Sequence, residues 1–197
     1  MMAEIILSIF LGIGLAASVG FRVFVPLFLL SLAAYYQLVP ISENWQWIGG
    51  LPAIITLGLA TLLEIAAYLI PWLDNILDTI AVPLAAIAGT IVMLSTITEL
   101  SPLLTWSLAI IAGGGTASVI KTGNGSARLG SSLQTAGFAN PLISIFETIG
   151  AVFMAVISFI SPVIAVLLVI ALLYFLRKIY RFIFPKHKSK SDKISNT

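Results

Sequence analysis

Apolar runs of about twenty residues, broken by short polar interruptions, repeat along the whole chain, and this spacing predicts a series of membrane-crossing helices. The first run, Met1 to Gln37, is too long for one simple span. A helix from Glu4 to Gln37 would measure ~50 Å at ~1.5 Å per residue, against a hydrocarbon core of ~30 Å. It must tilt, protrude or break, and Gly20 to Pro26 is the expected break, because Arg22 lies there between a glycine and a proline that lacks an N–H. A polar loop follows from Val39 to Gly50, with Trp45 and Trp47 at headgroup level. The second span is expected over Leu51 to Ile70, a turn over Pro71 to Asn75, and the third span over Ile76 to Thr98. Glu99 to Pro102 closes a tight turn before a fourth span, Leu103 to Ile120, that ends in Gly113, Gly114 and Gly115. Lys121 to Asn140 reads as a long polar connection, either a loop or a re-entrant segment shielded by protein. Pro141 to Ile160 and Val163 to Phe184 complete six spans, reduced to four or five if a segment is re-entrant.

Composition puts the chain in the same class. Hydrophobic residues make up 59% and charged residues 9%, with a mean hydropathy of +1.10, far from the soluble average of about 25% charged. The reading is an all-α integral membrane protein, one transmembrane domain over residues 1–184 followed by a basic, disordered tail over 185–197. Glu4 near the start and the absence of a small-residue cleavage site before Arg22 argue against a removable signal peptide. The chain has no cysteine, and its one histidine, His187, lies in the tail, so thiolate chemistry and a histidine metal site are excluded; no cofactor and no metal is expected.

The net charge of +2 conceals an asymmetry. Seven acids face three bases up to Leu176, whereas seven bases face Asp192 beyond it. The positive-inside rule then holds the tail in the cytoplasm or its organellar equivalent, and an even count of six spans puts both termini there. The Val39 to Gly50 and Glu99 to Pro102 turns, which carry acids and no base, fall outside, and Lys121 and Arg128 fall inside. The expected localisation is a cell inner membrane or an organelle membrane, crossed several times. With only Tyr180 and Phe182 among the tail's bases to stack on, nucleic acid is not an expected partner.

A repeat is also readable: GLAASV at Gly14 to Val19 parallels GGTASV at Gly114 to Val119, each followed by a base and later by a membrane acid. Two three-helix units related by inversion would follow, as in many secondary transporters.

The chemistry resides in charges that lipid does not tolerate. A carboxylate at the centre of a span costs roughly 2.5 to 3.5 kcal/mol on insertion scales unless it is paired, hydrated or protonated. Glu64, about seven residues from the end of its span, needs a partner or a proton, and Arg22 and Arg128 are the candidate partners. Glu147 is its counterpart in the fifth span, with Asn140, Ser144 and Thr148 near it. Asp74 and Asp78, four apart, share a helix face, and Asp74 after Pro-Trp-Leu suits the N-cap of the third span with Asp78 in the first turn. Lys121 and Arg128, with Asn124, Ser126, Ser131 and Ser132, form either a basic pocket for an anion or headgroup or a loop that fixes orientation.

Three motifs in order, GFRVFVPLFLL at Gly20 to Leu30, LEIAAYLIPWLDNILDTIAVPLAAIAGT at Leu63 to Thr90, and K-T-G-x-G-x-A-R from Lys121 running on to FANPLISIFET at Phe138 to Thr148, resemble the domain of unknown function 4126 family over roughly Leu7 to Ile160. The chain departs from that family's pattern at Tyr68, where an acid is common, and at Gly137 to Asn140, where a Ser-Pro-rich turn is common. The resemblance implies a membrane class and no reaction. The functional expectation is a small transporter or channel-like protein for a small ion, metabolite or lipid headgroup, with Glu64, Glu147, Asp74, Asp78, Arg22, Arg128, Lys121 and Asn140 along its path. The alternative is a structural or assembly protein whose buried charges are static pairs. A membrane enzyme is the weakest reading, since no H-E-x-x-H or G-x-S-x-G motif occurs. Expected partners are membrane lipids, an unidentified small ligand and a second copy of the chain, for which the glycine-rich faces leave room.

Overall fold

The computed structural model describes residues 2–135 and 139–183, and among these it describes no side chain at 71, 72, 74, 75, 132–134, 179, 180, 182 and 183. The tail expected from 185 lies outside the described residues. Eight α-helices account for most of the rest: α1 (Met2–Phe21), α2 (Phe24–Tyr35), α3 (Leu51–Ala67), α4 (Pro71–Thr96), α5 (Pro102–Leu108), α6 (Gly115–Thr135), α7 (Asn140–Ile160) and α8 (Pro162–Ile183). A short 3-10 helix, Glu43–Gly49, precedes α3, and a π-helical turn, Ala109–Gly114, joins α5 to α6 without a break. No strand occurs among the described residues.

Four helical stretches are long and apolar enough to cross a membrane: Met2–Phe21, Ile76–Thr96, Pro102–Ser131 and Asn140–Ile160. The 3-10 helix and α3, bent by 64°, make a fifth if taken as one. Their surfaces suggest the same environment. On α7 the interior face is Ser144, Glu147, Ala151, Met154, Ala155 and Ser158, while Ile145, Phe146, Ile149, Val152, Phe153 and Val156 are exposed. Small and polar residues inside with bulky apolar ones outside reverse the arrangement that water enforces, and suit a bundle solvated by lipid.

The first long segment breaks at Arg22 and Val23, within the expected window, but the break reverses the chain rather than bending it. Gly12 on α1 packs against Met93 and Thr96 of α4, so α1 begins near the C-terminal end of α4. After α2 the Ser42 N–H donates to the Ser95 carbonyl at 2.9 Å, which places the chain back at that same end. The two helices therefore form a hairpin whose apex is Arg22–Val23. The bundle then has two ends, one marked by Trp45, Ser95 and Glu99, the other by Arg22, Tyr68 and Arg128. Seven passes connect them among the described residues: α1, α2, α3, α4, α5 with α6, α7 and α8. Gly14 meets Ala165 and Gly123 meets Leu176, so α8 runs toward the arginine end. Of these seven helical passes, four or five are long and apolar enough to cross a membrane, within the expected four to six. The pass not expected as separate is α2, twelve residues long, and with it α1 starts and α8 finishes at opposite ends of the bundle.

Two further expectations change. The polar stretch after Lys121 is not a loop, because α6 continues through it to Thr135. Its hydroxyls fold back onto the helix, Thr122 to the Ser118 carbonyl at 2.8 Å and Ser126 to the Thr122 carbonyl at 2.9 Å, which removes their competition with the backbone. Tertiary contacts then override weak propensity, since Gly123 packs on Leu176 and Asn124 donates to Gly20. The repeated segments also run in one direction: Gly12 and Gly113 both pack on Met93, whereas further along Gly20 meets Ile120. They are parallel, so this pair carries no inversion.

The tightest crossing joins α4 to the π-helical turn. A β-carbon at Gly113 would stand 2.6 Å from the Gly89 carbonyl oxygen, and one at Gly89 would stand 2.7 Å from that of Gly113. Backbone lies on both sides and cannot give way. Gly113→Ala should lower unfolding stability in detergent by about 1 to 3 kcal/mol through overpacking. Gly130→Ala, where the added carbon meets nothing within 4 Å, should gain up to ~1 kcal/mol from helix propensity. Equal responses of the two variants in thermal or denaturant unfolding would contradict the close crossing.

Candidate functional site at the arginine end

A chain that reverses in two residues leaves helix ends open inside the bundle. The first amides of α2 have no intrahelical acceptor, and the last carbonyls of α1 have no intrahelical donor. Side chains from other helices fill both roles. Glu64, in the last turn of α3, accepts from the Val23 N–H at 2.8 Å through Oε1 and from the Phe24 N–H at 2.9 Å through Oε2. A carboxylate at a helix N-terminus also opposes the positive end of the macrodipole. At the other side of the apex, Lys121 Nζ donates to the Phe21 carbonyl at 3.4 Å and Asn124 to the Gly20 carbonyl at 3.4 Å, placing a cation at the negative end of α1. The arginine partner expected for Glu64 is thus replaced by two backbone amides.

Arg22 itself points into α7 and is fully buried. Nε donates to Thr148 Oγ1 at 3.1 Å, and Nη2 donates to the Ser144 carbonyl at 2.9 Å and also to the Ser144 hydroxyl. Nη2 lies 3.8 Å from Glu147 Oε2. Ser144, Glu147 and Thr148 share one face of α7 because residues three and four apart are neighbours on a helix. Glu147 is held by Arg128 of α6 in a two-pronged pair, Nε to Oε1 at 3.1 Å and Nη2 to Oε2 at 2.5 Å. Such a fork satisfies both oxygens and fixes orientation.

Both guanidinium groups pack against the Tyr68 ring. Arg22 Cζ stands 4.1 Å from its centroid and Arg128 Cζ 4.5 Å, and Lys121 Nζ donates to its hydroxyl at 3.3 Å. Two like charges gathered at one ring would repel. The electron-rich faces of the ring attract both, each by up to about 2 kcal/mol when desolvated. The sequence marks Tyr68 only as a departure from the family's pattern and gives it no role; the available signal for one is its position one turn after Glu64, on the same side of α3. Ser144 and Thr148 were visible only as neighbours of Glu147.

Of the remaining expected residues, Asp78 joins this core. Asp78 is half buried, with Oδ2 3.9 Å from Arg128 Nη1, so a third acid faces the three bases. It is not in a first turn, because α4 starts at Pro71 with Ile70 as its cap, a position where proline's missing N–H costs nothing. The cap expected at Asp74 is corrected for the same reason, and the Asp74 side chain lies outside the described residues. Asn140 opens α7, two turns before Glu147, and is half buried. Glu64 sits one turn from the end of its helix rather than two. No group of three or more His, Cys, Asp or Glu residues among the described ones could hold a metal ion.

Two recesses flank the cluster. One of about 320 Å³, mostly apolar, lies between α3 and α4 and reaches Glu64 and Tyr68. The other, about 190 Å³, is lined by Asp78, Lys121, Thr122, Ser126, Arg128 and Glu147 among others. One buried donor in the cluster, Arg22 Nη1, has no hydrogen-bond partner. Tyr68→Leu should lower stability in detergent by about 2 kcal/mol or more, because it removes the ring against which both arginines pack. Tyr68→Phe, which loses only the hydroxyl acceptor of Lys121, should cost about 1 kcal/mol. Equal losses on thermal unfolding would show that the ring faces carry no energy.

No curated protein and no solved structure matches the chain. A family model described as "Domain of unknown function (DUF4126)" matches residues 9–181, which is most of its length. The chain therefore belongs to the DUF4126 family.

Proposed function

We propose that this protein is a small membrane transporter or channel-like protein whose path for a small ion, metabolite or lipid headgroup passes the cluster around Tyr68, and that the group it accepts there is anionic. The observation that carries the reading is Arg22 Nη1, a buried cationic donor without an acceptor, in a cluster whose other members Glu64, Tyr68, Lys121, Arg128 and Glu147 line two recesses. An unmet guanidinium N–H away from water costs about 1 to 3 kcal/mol or more, and an anion supplies what it lacks. The same anion would compete with Glu147 for Arg22 and with Glu147 and Asp78 for Arg128, so occupancy would loosen the contacts between α4, α6 and α7. Intramembrane charges of this kind mark ion and substrate pathways. Arg177 and Lys178, exposed at the arginine end, support an orientation with that end and the tail cytoplasmic. The reading is non-enzymatic.

A second reading is favoured by the bonding of Glu64. Both its oxygens are used on backbone amides, as in a fixed structural or assembly protein. The two readings separate in liposomes containing purified protein, with chloride, phosphate and acetate as probes of anion flux. Transport predicts measurable flux for one of them, reduced about tenfold or more in Lys121→Gln and Glu147→Gln variants that stay folded by melting and gel filtration. That factor corresponds to about 1.4 kcal/mol. No flux in the wild type, or wild-type flux in both variants, would sink the transport reading. The static reading predicts instead that Glu64→Gln lowers the melting temperature with flux absent throughout.

A further inference from the structure

At the opposite end of the bundle, three of the chain's four tryptophans surround one acid. A recess of about 430 Å³ is lined by Asn44, Trp45, Trp47, Glu99, Trp106 and neighbouring residues. The Trp45 and Trp47 rings lie 5.8 Å apart at 35°. Glu99 holds φ 61°, a left-handed backbone that non-glycine residues enter rarely and that recurs where function requires strain. Directly below, sharing Trp45, Leu94 and Trp106, a groove of about 520 Å³ runs between α4 and the π-helical turn. Its wall is apolar apart from hydroxyls that are already used, Thr90 on the Ala86 carbonyl at 2.8 Å and Ser118 on the Gly114 carbonyl at 2.7 Å. From Leu94 to Ala86 it follows about 12 Å of helix. Tryptophans at a membrane interface are commonplace; a carboxylate among them and an apolar channel beneath them are not.

Charge selects the occupant. No Lys or Arg occurs between Arg22 and Lys121, so this end offers Glu43 and Glu99 and no base from that stretch. Tryptophan faces and a carboxylate attract ammonium groups, the combination used in aromatic cages. An occupant with an acyl chain for the groove and an ammonium for the recess is a phospholipid. We propose that the tryptophan end binds a bilayer phospholipid with an ammonium headgroup: the ammonium lies at Glu99 among Trp45, Trp47 and Trp106, the phosphate meets Ser42 and Asn44, and one acyl chain fills the groove along α4. This site lies about 24 Å from Asp78 along α4 and does not depend on the transport reading.

The test is lipid binding by delipidated full-length protein in detergent, read by native mass spectrometry. The probes are dioleoyl phosphatidylethanolamine and dioleoyl phosphatidylglycerol, which share acyl chains and differ in the ammonium. The expected result is about tenfold tighter binding of the ethanolamine lipid, equivalent to about 1.4 kcal/mol. Glu99→Gln should erase the preference while the lipid-free melting temperature holds. If that variant fails to fold, Glu99→Gly removes the same carboxylate and suits the left-handed backbone. Gly115→Leu extends into the groove, where a β-carbon meets nothing within 4 Å, and should weaken both lipids. Equal binding of the two lipids, binding of neither, a preference retained without the carboxylate, or full affinity in Gly115→Leu would each overturn the proposal.

Discussion

The structure depends on how the reversal at Arg22–Val23 is satisfied. Turning a helix within two residues in an apolar interior leaves amides and carbonyls that lipid cannot solvate, at several kcal/mol each. The bundle meets this with charge: Glu64 on the amides of α2, Lys121 and Asn124 on the carbonyls of α1. Arg22, at the apex, is tied to α7 and stacked on Tyr68. One short hairpin thereby fixes the positions of α3, α6 and α7. The polar residues that the sequence scatters over the hairpin and four helices gather around a single turn.

This arrangement also explains the choice of residue types. Arginine supplies a rigid planar fork, and Arg22 uses it to serve hydroxyls, a carbonyl and an aromatic ring in one fixed geometry. Lysine appears where a point charge is needed, at the open carbonyl end of α1. Tyrosine packed against two arginines attracts both and offsets their repulsion. The acids balance the bases in number once Asp78 is included, so the buried set carries little net charge. Arg22 Nη1, the donor left over, is where a ligand would change the balance least expensively.

Much of the fold was legible from hydropathy. The limits of α7 and α8, the break near Arg22 and the membrane-like composition follow from apolar run lengths and from prolines at helix starts. The direction taken at the break was not legible, because Gly-Phe-Arg-Val-Phe-Val-Pro is compatible with either a kink or a reversal, and only the distant Ser42–Ser95 contact decides. Likewise Gly, Ser and Thr after Lys121 signal a loop by propensity, whereas hydroxyl back-bonding and packing on α1 and α8 keep them helical. At the site, the inventory of charges was readable but the pairing was not. Glu64 chose backbone over arginine, and Tyr68 acquired its role through neighbours from two other segments, the hairpin apex and α6, a long-range fact that no local pattern encodes.

The central claim is that the buried charges act as one mutually compensated unit. A double-mutant cycle of Arg128→Met and Glu147→Gln, measured by unfolding in detergent, tests it most directly. Each single change strands a buried charge and should cost about 3 to 5 kcal/mol. Because the second change removes what the first left unpaired, the double variant should fall short of the sum by about 1 to 3 kcal/mol. Strict additivity would mean that these charges are held separately and would contradict the account.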